Sequence, residues 1–192
     1  MNTENTPPAR KINLPFTRET VATLRAGDPL LLTGELLTAR DAAHKRMVET
    51  IASGKQLPVD LTDATIFYTG PSATPPGRII GSAGPTTAYR MDPYCEALLR
   101  AGVRAMIGKG EKGEEVESLL RDYCAVYCAA IGGAGAYLSE RIQSVELVAY
   151  ADLGPEAVRR LTVRDFPVVV AQDCRGGNIY RISRERALSA RD

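Results

Sequence analysis

The chain contains no tryptophan and a single histidine, His44. Its four cysteines, Cys95, Cys124, Cys128 and Cys174, include no Cys-x-x-Cys pair. A structural zinc site needs closely paired ligands, and an iron–sulfur cluster needs three or four convergent thiolates. The spacing announces neither, so the thiols are expected to be free, mostly buried, and not metal ligands. Neither sign of charge is in excess: 24 Lys and Arg face 23 Asp and Glu. That balance argues against a general nucleic-acid binder. No apolar run approaches the ~20 residues that cross a bilayer. The N-terminus, Met1 to Lys11, is polar and lacks the apolar stretch of a secretory signal. No nucleic acid, no membrane and a cytoplasmic location are the resulting expectations. The phosphate-loop pattern G-x-x-x-x-G-K-[ST] is also missing.

What is present suits one folded domain. Hydrophobic residues make up 44% of 192 residues, enough for a sizeable core. Residues 1–10 read as a loose leader, 11–185 as the domain and 186–192 as a tail. The recurring pattern is strand, glycine-containing turn, helix. Strands are expected at Pro29–Thr33, Ile66–Thr69, Arg78–Ser82, Val103–Ile107, Ala125–Ala130, Val145–Tyr150 and Val168–Ala171. Helices are expected at Thr17–Arg25, after a Thr38 N-cap, around Leu98 and Leu99, at Glu114–Asp122, and after Gly132-Gly133. Gly176-Gly177 reads as a hairpin turn leading to Asn178–Ile182. The late strands lack long helices between them, so the fold class is α/β with a mixed sheet. Open α/β sheets bind ligands at the turns that collect at strand ends.

Three turns share one chemistry. The first, Gly34 to His44, places Arg40 in the first turn of a helix. A cation there opposes the helix dipole by ~0.3–1 kcal/mol unless compensated. Either Arg40 and free backbone N–H groups hold an anion, or Arg40 is a surface side chain paired to Asp41. The second turn, Gly81 to Asp92, offers close backbone approach, the hydroxyls of Thr86 and Thr87, and Arg90. This set suits a carboxylate or phosphate, though capping threonines in a plain turn would look alike. The third, Ile107-Gly-Lys-Gly110, sets Lys109 just past an apolar strand, where it either reaches a cleft or is simply solvated. If the three meet, they suit a small ligand with two negative groups. His44 lies one helical turn after Arg40 and is either an acid/base group or, the preferred account, a supporting or capping residue. Asp41 and Asp92 read as orienters or caps.

The segments Leu37-Thr-Ala-Arg-Asp-Ala-Ala-His-Lys-Arg46, Ile79-Ile-Gly-Ser-Ala-Gly-Pro-Thr-Thr-Ala-Tyr-Arg-Met-Asp92 and Met106-Ile-Gly-Lys-Gly110 occur in order. Together they closely resemble the β subunit, or fused C-terminal domain, of class I iron–sulfur fumarases and their tartrate dehydratase relatives. Gly132-Gly133 and Asp152-Leu-Gly-Pro-Glu-Ala-Val158 extend the likeness, which covers about residues 12–182. The resemblance implies a swivelling β/β/α domain, with a mixed sheet layer and helices at one face, that closes over a partner. That partner, an α subunit, would carry a [4Fe–4S] cluster on its own cysteines, in a hetero-oligomer. The implied reaction is reversible hydration of fumarate to L-malate, with tartrate dehydration as the alternative. A stand-alone dicarboxylate-binding module is the alternative of another class. By resemblance, Arg40, Arg90 and Lys109 bind substrate carboxylates and Thr86 and Thr87 donate hydrogen bonds. Thr86 is also the implied base, which needs activation because a free hydroxyl is a poor one. The turn Asp173-Cys-Arg-Gly-Gly-Asn178 departs from the family's usual Asp-Lys-Gly-Asn, and Arg159 stands where an aromatic is frequent.

Overall fold

The computed structural model describes residues 8–189. The leader reading therefore falls mostly outside the described residues, as does the end of the tail. Arg10 already belongs to a strand, and the last helix runs on to Ser189.

In chain order the elements are β1 (Arg10–Asn13), α1 (Arg18–Thr23), β2 (Pro29–Thr38), α2 (Asp41–Ala52), β3 (Thr65–Phe67), α3 (Cys95–Arg100), β4 (Ala105–Gly108), α4 (Glu114–Tyr123), β5 (Val126–Ala129), α5 (Gly135–Ser139), β6 (Ile142–Ala149), β7 (Val158–Gln172) and α6 (Ile179–Ser189). Short 3-10 helices occupy Ala88–Tyr94 and Ala151–Glu156. The sheet is mixed, as the sequence suggests, but it also closes on itself. β2, β3, β4 and β5 pair in parallel, β7 pairs antiparallel with β5, and β7 then returns to pair with β2. Five strands thus form a ring, with β1 and β6 attached at its margins.

Period-two patterning explains the layering. In β4, Ala105 and Ile107 join one apolar cluster while Met106 joins another; in β5, Val126 and Cys128 separate from Tyr127 in the same way. The first cluster fills the ring, where Phe67 and Phe166 meet edge to face at 5.3 Å. The second lies on the outer face, under α2, α3 and α4. The edge formed by the C-terminal ends of β2 to β5 carries the three cationic turns.

Several expectations need correction. Thr38 is not an N-cap. It ends the ten-residue β2, fully buried, where its hydroxyl donates to the Ala157 carbonyl at 3.2 Å and accepts from the Arg159 N–H at 3.0 Å. Arg78–Ser82 is not a strand but part of a folded loop, closed by a Ser72 N–H to Ser82 carbonyl bond of 3.0 Å. Gly176-Gly177 opens a helix rather than a hairpin strand. Asn178 makes one bridge to Gln172, then its side-chain oxygen accepts from the N–H groups of Tyr180 and Arg181 and so starts α6.

One buried charge fixes the second turn. Lys112 has a fully buried side chain whose ammonium lies 2.7 Å from Asp92 Oδ1 and 3.3 Å from the Ala88 carbonyl. It also sits over the rings of Tyr68 and Tyr127. Asp92 accepts in turn from the Gly113 N–H at 2.9 Å. The first and last turns of the 3-10 helix are thereby tied to the segment before α4. Lys112→Met keeps most of the volume but leaves Asp92 unpaired. Because Asp92 keeps some contact with water, we expect a loss of roughly 2–3 kcal/mol in urea denaturation, less than for a fully buried pair. Adding Asp92→Asn should recover part of it; an unchanged midpoint for the single variant would remove Lys112 from this role.

Candidate functional site

The site is assembled from strand ends. Arg40 occupies the position just before α2, in extended conformation, one residue earlier than expected. Its guanidinium lies 3.1 Å from Glu156 Oε1 and 3.6 Å from Asp41 Oδ2. Glu156 also accepts from the Ala42 N–H at 2.7 Å, supplying the cap that α2 lacks locally. Gly70 gives the guanidinium room: a Cβ there would stand 3.1 Å from Arg40 Cδ and Nη1. Arg90 reaches across from the second turn to Asp41 Oδ1 at 2.9 Å. Asp41 therefore bridges two of the three expected cations.

The third turn is joined to the second through the backbone. The Thr86 N–H donates to the Tyr68 carbonyl at 2.6 Å, and its carbonyl accepts from the Lys109 N–H at 3.0 Å. The Ala88 N–H donates to the Lys109 carbonyl at 2.8 Å, so Thr87 and Lys109 form a parallel bridge. Thr69 anchors the same turn by donating its hydroxyl to the Gly84 carbonyl at 2.8 Å. Lys109 is exposed, and its stem lies against Gly132, where a Cβ would come within 2.8 Å of Lys109 Cδ. Thr86 and Thr87 are half-buried and Arg90 is exposed. Three cations and two carboxylates, Asp41 and Glu156, leave the cluster one positive charge.

His44 lies beneath this surface rather than in it. The ring is 1% exposed and its Nδ1 is 2.9 Å from the Arg40 carbonyl. A carbonyl only accepts, so Nδ1 carries the proton and Nε2 is left without a partner. The ring packs edge-on to Tyr68 at 5.1 Å. Burial pushes its pKa down to about 4, against a smaller opposing pull from the Arg40 carbonyl, and the Lys112 charge pushes the same way as burial. The imidazole is neutral, and it holds the residue that carries the guanidinium.

Two contributors were not legible. Glu156 is 114 residues from Ala42, and no local spacing predicts that pairing. Gly154-Pro155 marks a turn, and Glu156 lies in the 152–158 segment that carries part of the resemblance, but neither signal says what Glu156 pairs with. Lys112, between Gly110 and Gly113, looks like a solvated loop lysine in sequence.

The donors among the described residues do not suit a cluster or a metal ion. Among the described residues, no three His, Cys, Asp or Glu side chains converge. Cys128 is wholly buried, its thiol pushed by desolvation up to about 12. Cys95 is buried against Lys112, while Cys124 and Cys174 sit together elsewhere. None of the four belongs to the cationic edge. Among the same residues, no helix is long and apolar enough to cross a membrane.

Over residues 1–183 the sequence matches the family described as Fumarase C-terminus. It is 39% identical over 154 residues to "Fumarate hydratase class I, anaerobic" of Escherichia coli (strain K12), spanning 79% of this chain and 28% of that protein. It is likewise 39% identical over 153 residues to "Fumarate hydratase 1, mitochondrial" of Leishmania major, again 79% and 28%. Against "Putative L(+)-tartrate dehydratase subunit beta" of Methanocaldococcus jannaschii it is 38% identical over 171 residues, spanning 86% of this chain and 88% of that one. The chain thus spans about a quarter of these fumarate hydratases but most of the tartrate dehydratase subunit. With a match that runs from its first residue to 183, the chain belongs to the Fumarase C-terminus family.

Proposed function

We propose that this chain is the β subunit of a two-chain class I fumarate hydratase, a hydro-lyase interconverting fumarate and L-malate. It would supply the half of the active site that grips the substrate carboxylates. The observation that carries the reading is the convergence of Arg40, Thr86, Arg90 and Lys109 on one strand-end edge. Arg40 and Arg90, sharing Asp41, would take one carboxylate. Lys109, with the Thr86 and Thr87 hydroxyls, would take the other. Thr86 is the proton-accepting candidate, and the Lys109 ammonium, if brought to its hydroxyl by the ligand, would favour its alkoxide. His44 acts as a positioning residue through the Arg40 carbonyl.

A partner α subunit would hold the [4Fe–4S] cluster, whose bound form supplies a Lewis acid for the substrate hydroxyl. The partial coverage of the fumarate hydratases supports a missing partner. The barrel would then be the swivelling domain that closes onto that partner. Four free thiols suit the reducing cytoplasm. A second reading, the β subunit of an L(+)-tartrate dehydratase, is favoured by the 88% coverage of the archaeal subunit.

The decisive assay follows fumarate hydration anaerobically, with the chain alone and then with a co-expressed cluster-bearing partner. Activity only in the mixture is expected; activity of the chain alone would overturn the split-site reading. Turnover of tartrate but not fumarate would select the second reading. Tight malate binding by the chain alone, with no activity in either sample, would select a binding module.

Arg90→Ala is expected to lower kcat/KM of the complex by about 100-fold or more, since a lost charged hydrogen bond costs several kcal/mol in the transition state. Near-normal kinetics would exclude Arg90 from the site.

The His44 assignment has a pH signature. Its folded pKa of about 4 lies below the ordinary value of 6.5, so the unfolded chain takes the proton first. The contribution to stability is complete above pH 6.5 and is lost as the pH falls towards 4, amounting to roughly 3 kcal/mol. His44→Asn keeps a donor for the Arg40 carbonyl and should abolish that acid-dependent loss. An imidazole resonance titrating near 6.5 by NMR would place the ring in solvent and contradict the assignment.

A further inference from the structure

Two cysteines lie together far from the cationic edge. Cys124 Sγ is 3.8 Å from Cys174 Sγ, van der Waals contact between two free thiols. Cys124 caps the end of α4 in a left-handed conformation, two residues before β5 begins at Val126. Cys174 follows β7, in the turn that leads to α6. Each sulfur has only a long contact to α1 as its other partner: Cys124 to the Arg18 carbonyl at 3.7 Å and Cys174 to the Val21 carbonyl at 3.8 Å. Access differs between the two. Cys124 is 9% exposed, whereas Cys174 is half-buried and precedes the exposed Arg175. The other two thiols are excluded: Cys128 points into the ring and Cys95 is covered and held by Lys112.

We propose that Cys124 and Cys174 are a dithiol modification site that a hydroperoxide converts to a reversible intramolecular disulfide. The accessible Cys174 thiolate attacks the peroxide, breaking the O–O bond and releasing an alcohol or water. Its sulfur becomes a sulfenic acid. Cys124 then attacks that sulfur, the S–S bond forms, and the sulfenic oxygen leaves as water. Two thiols are oxidised and one peroxide is reduced, with a loss of two hydrogens from the protein. From contact at 3.8 Å, the sulfurs must close to ~2.05 Å for the bond to form. Desolvation holds the Cys174 thiol above its ordinary pKa, with the Arg175 charge opposing. The reaction should therefore quicken as the pH rises from 7 to 9.

The bond would join the entrance of β5 to the exit of β7, on the side of the ring away from Arg40 and Lys109. It is a staple on the scaffold, not a change in the site. The inference stands independently of the fumarate reading.

The test uses the full chain treated with tert-butyl hydroperoxide, differential alkylation and peptide mass mapping. The expected result is a mass loss of two hydrogens and one cross-linked peptide pair containing Cys124 and Cys174. Cys95 and Cys128 should alkylate only after unfolding. Dithiothreitol should restore both thiols, and the oxidised form should melt roughly 5–10 °C higher, independent of protein concentration. Cys174→Ser should prevent the cross-link; because Cys174 is partly exposed, this variant is expected to fold, whereas Cys124→Ser would place a hydroxyl in the core. A different pairing, an intermolecular dimer, over-oxidation of Cys174 without a cross-link, or no reaction across pH 7–9 would each overturn the proposal.

Discussion

The antiparallel pairing of β2 with β7 is the constraint on which the molecule depends. It turns an open sheet into a ring and runs from Pro29 opposite Val169 to Leu37 opposite Arg160. The pairing slips once, between Leu32 and Gly34, where Gly34 adopts a positive φ and the chain packs directly on Leu14. A side chain at Gly34 would collide with Leu14 Cβ at 2.8 Å, so the bulge depends on glycine. Past the last register pair, Thr38 binds the backbone on both sides of Val158, through the Ala157 carbonyl and the Arg159 N–H. That clasp delivers Glu156 to the start of α2 and to Arg40. Closure of the ring and placement of the first cation are one event.

Beneath the cationic edge, the electrostatics are arranged so that nothing competes with it. Lys112 is buried but neutralised by Asp92. His44 is kept uncharged by burial and by the nearby Lys112 charge. A protonated ring there would add a third positive group to a poorly screened interior beside Arg40. The polar support is therefore largely neutral or paired, while charge that can act on a ligand stays at the surface.

The parts of this structure readable from sequence are those whose determinants are local. The amphipathic run at Glu114 to Tyr123 and the apolar tetrapeptides of β4 and β5 carry their own periodicity. The three cationic turns were legible because glycine marks them and because they follow apolar strands. β7 was mostly missed: only Val168–Ala171 stands out, because Arg159, Arg160 and Arg164 interrupt the apolar pattern and Asp165 takes a positive φ. The two-residue alternation is broken there, so periodicity loses register. The Arg78–Ser82 error has the opposite origin. Ile79 and Ile80 look like a strand, but Gly81 packs against the backbone of Ser72 and Ala73, and the segment folds back instead of pairing. Glu156 and the buried state of Lys112 depend on contacts made across the fold, which no window of sequence contains.

The shared carboxylate of Asp41 has a thermodynamic consequence. Arg40 and Arg90 are not bare at rest: Asp41 stands 2.9 Å from one and 3.6 Å from the other, and Glu156 is 3.1 Å from Arg40. An arriving anion does not simply add contacts; it exchanges with an anion already tethered to the protein. Its binding free energy is a difference between two ion pairs, and Asp41 behaves as a built-in competitor of high effective concentration. A single weak carboxylate gains little from that exchange. A ligand that engages the guanidiniums and Lys109 together gains a second contact without a second loss of translational freedom. Under the proposed carboxylate-binding role, selectivity for two-headed anions would follow from an internal counter-ion as much as from the cations themselves.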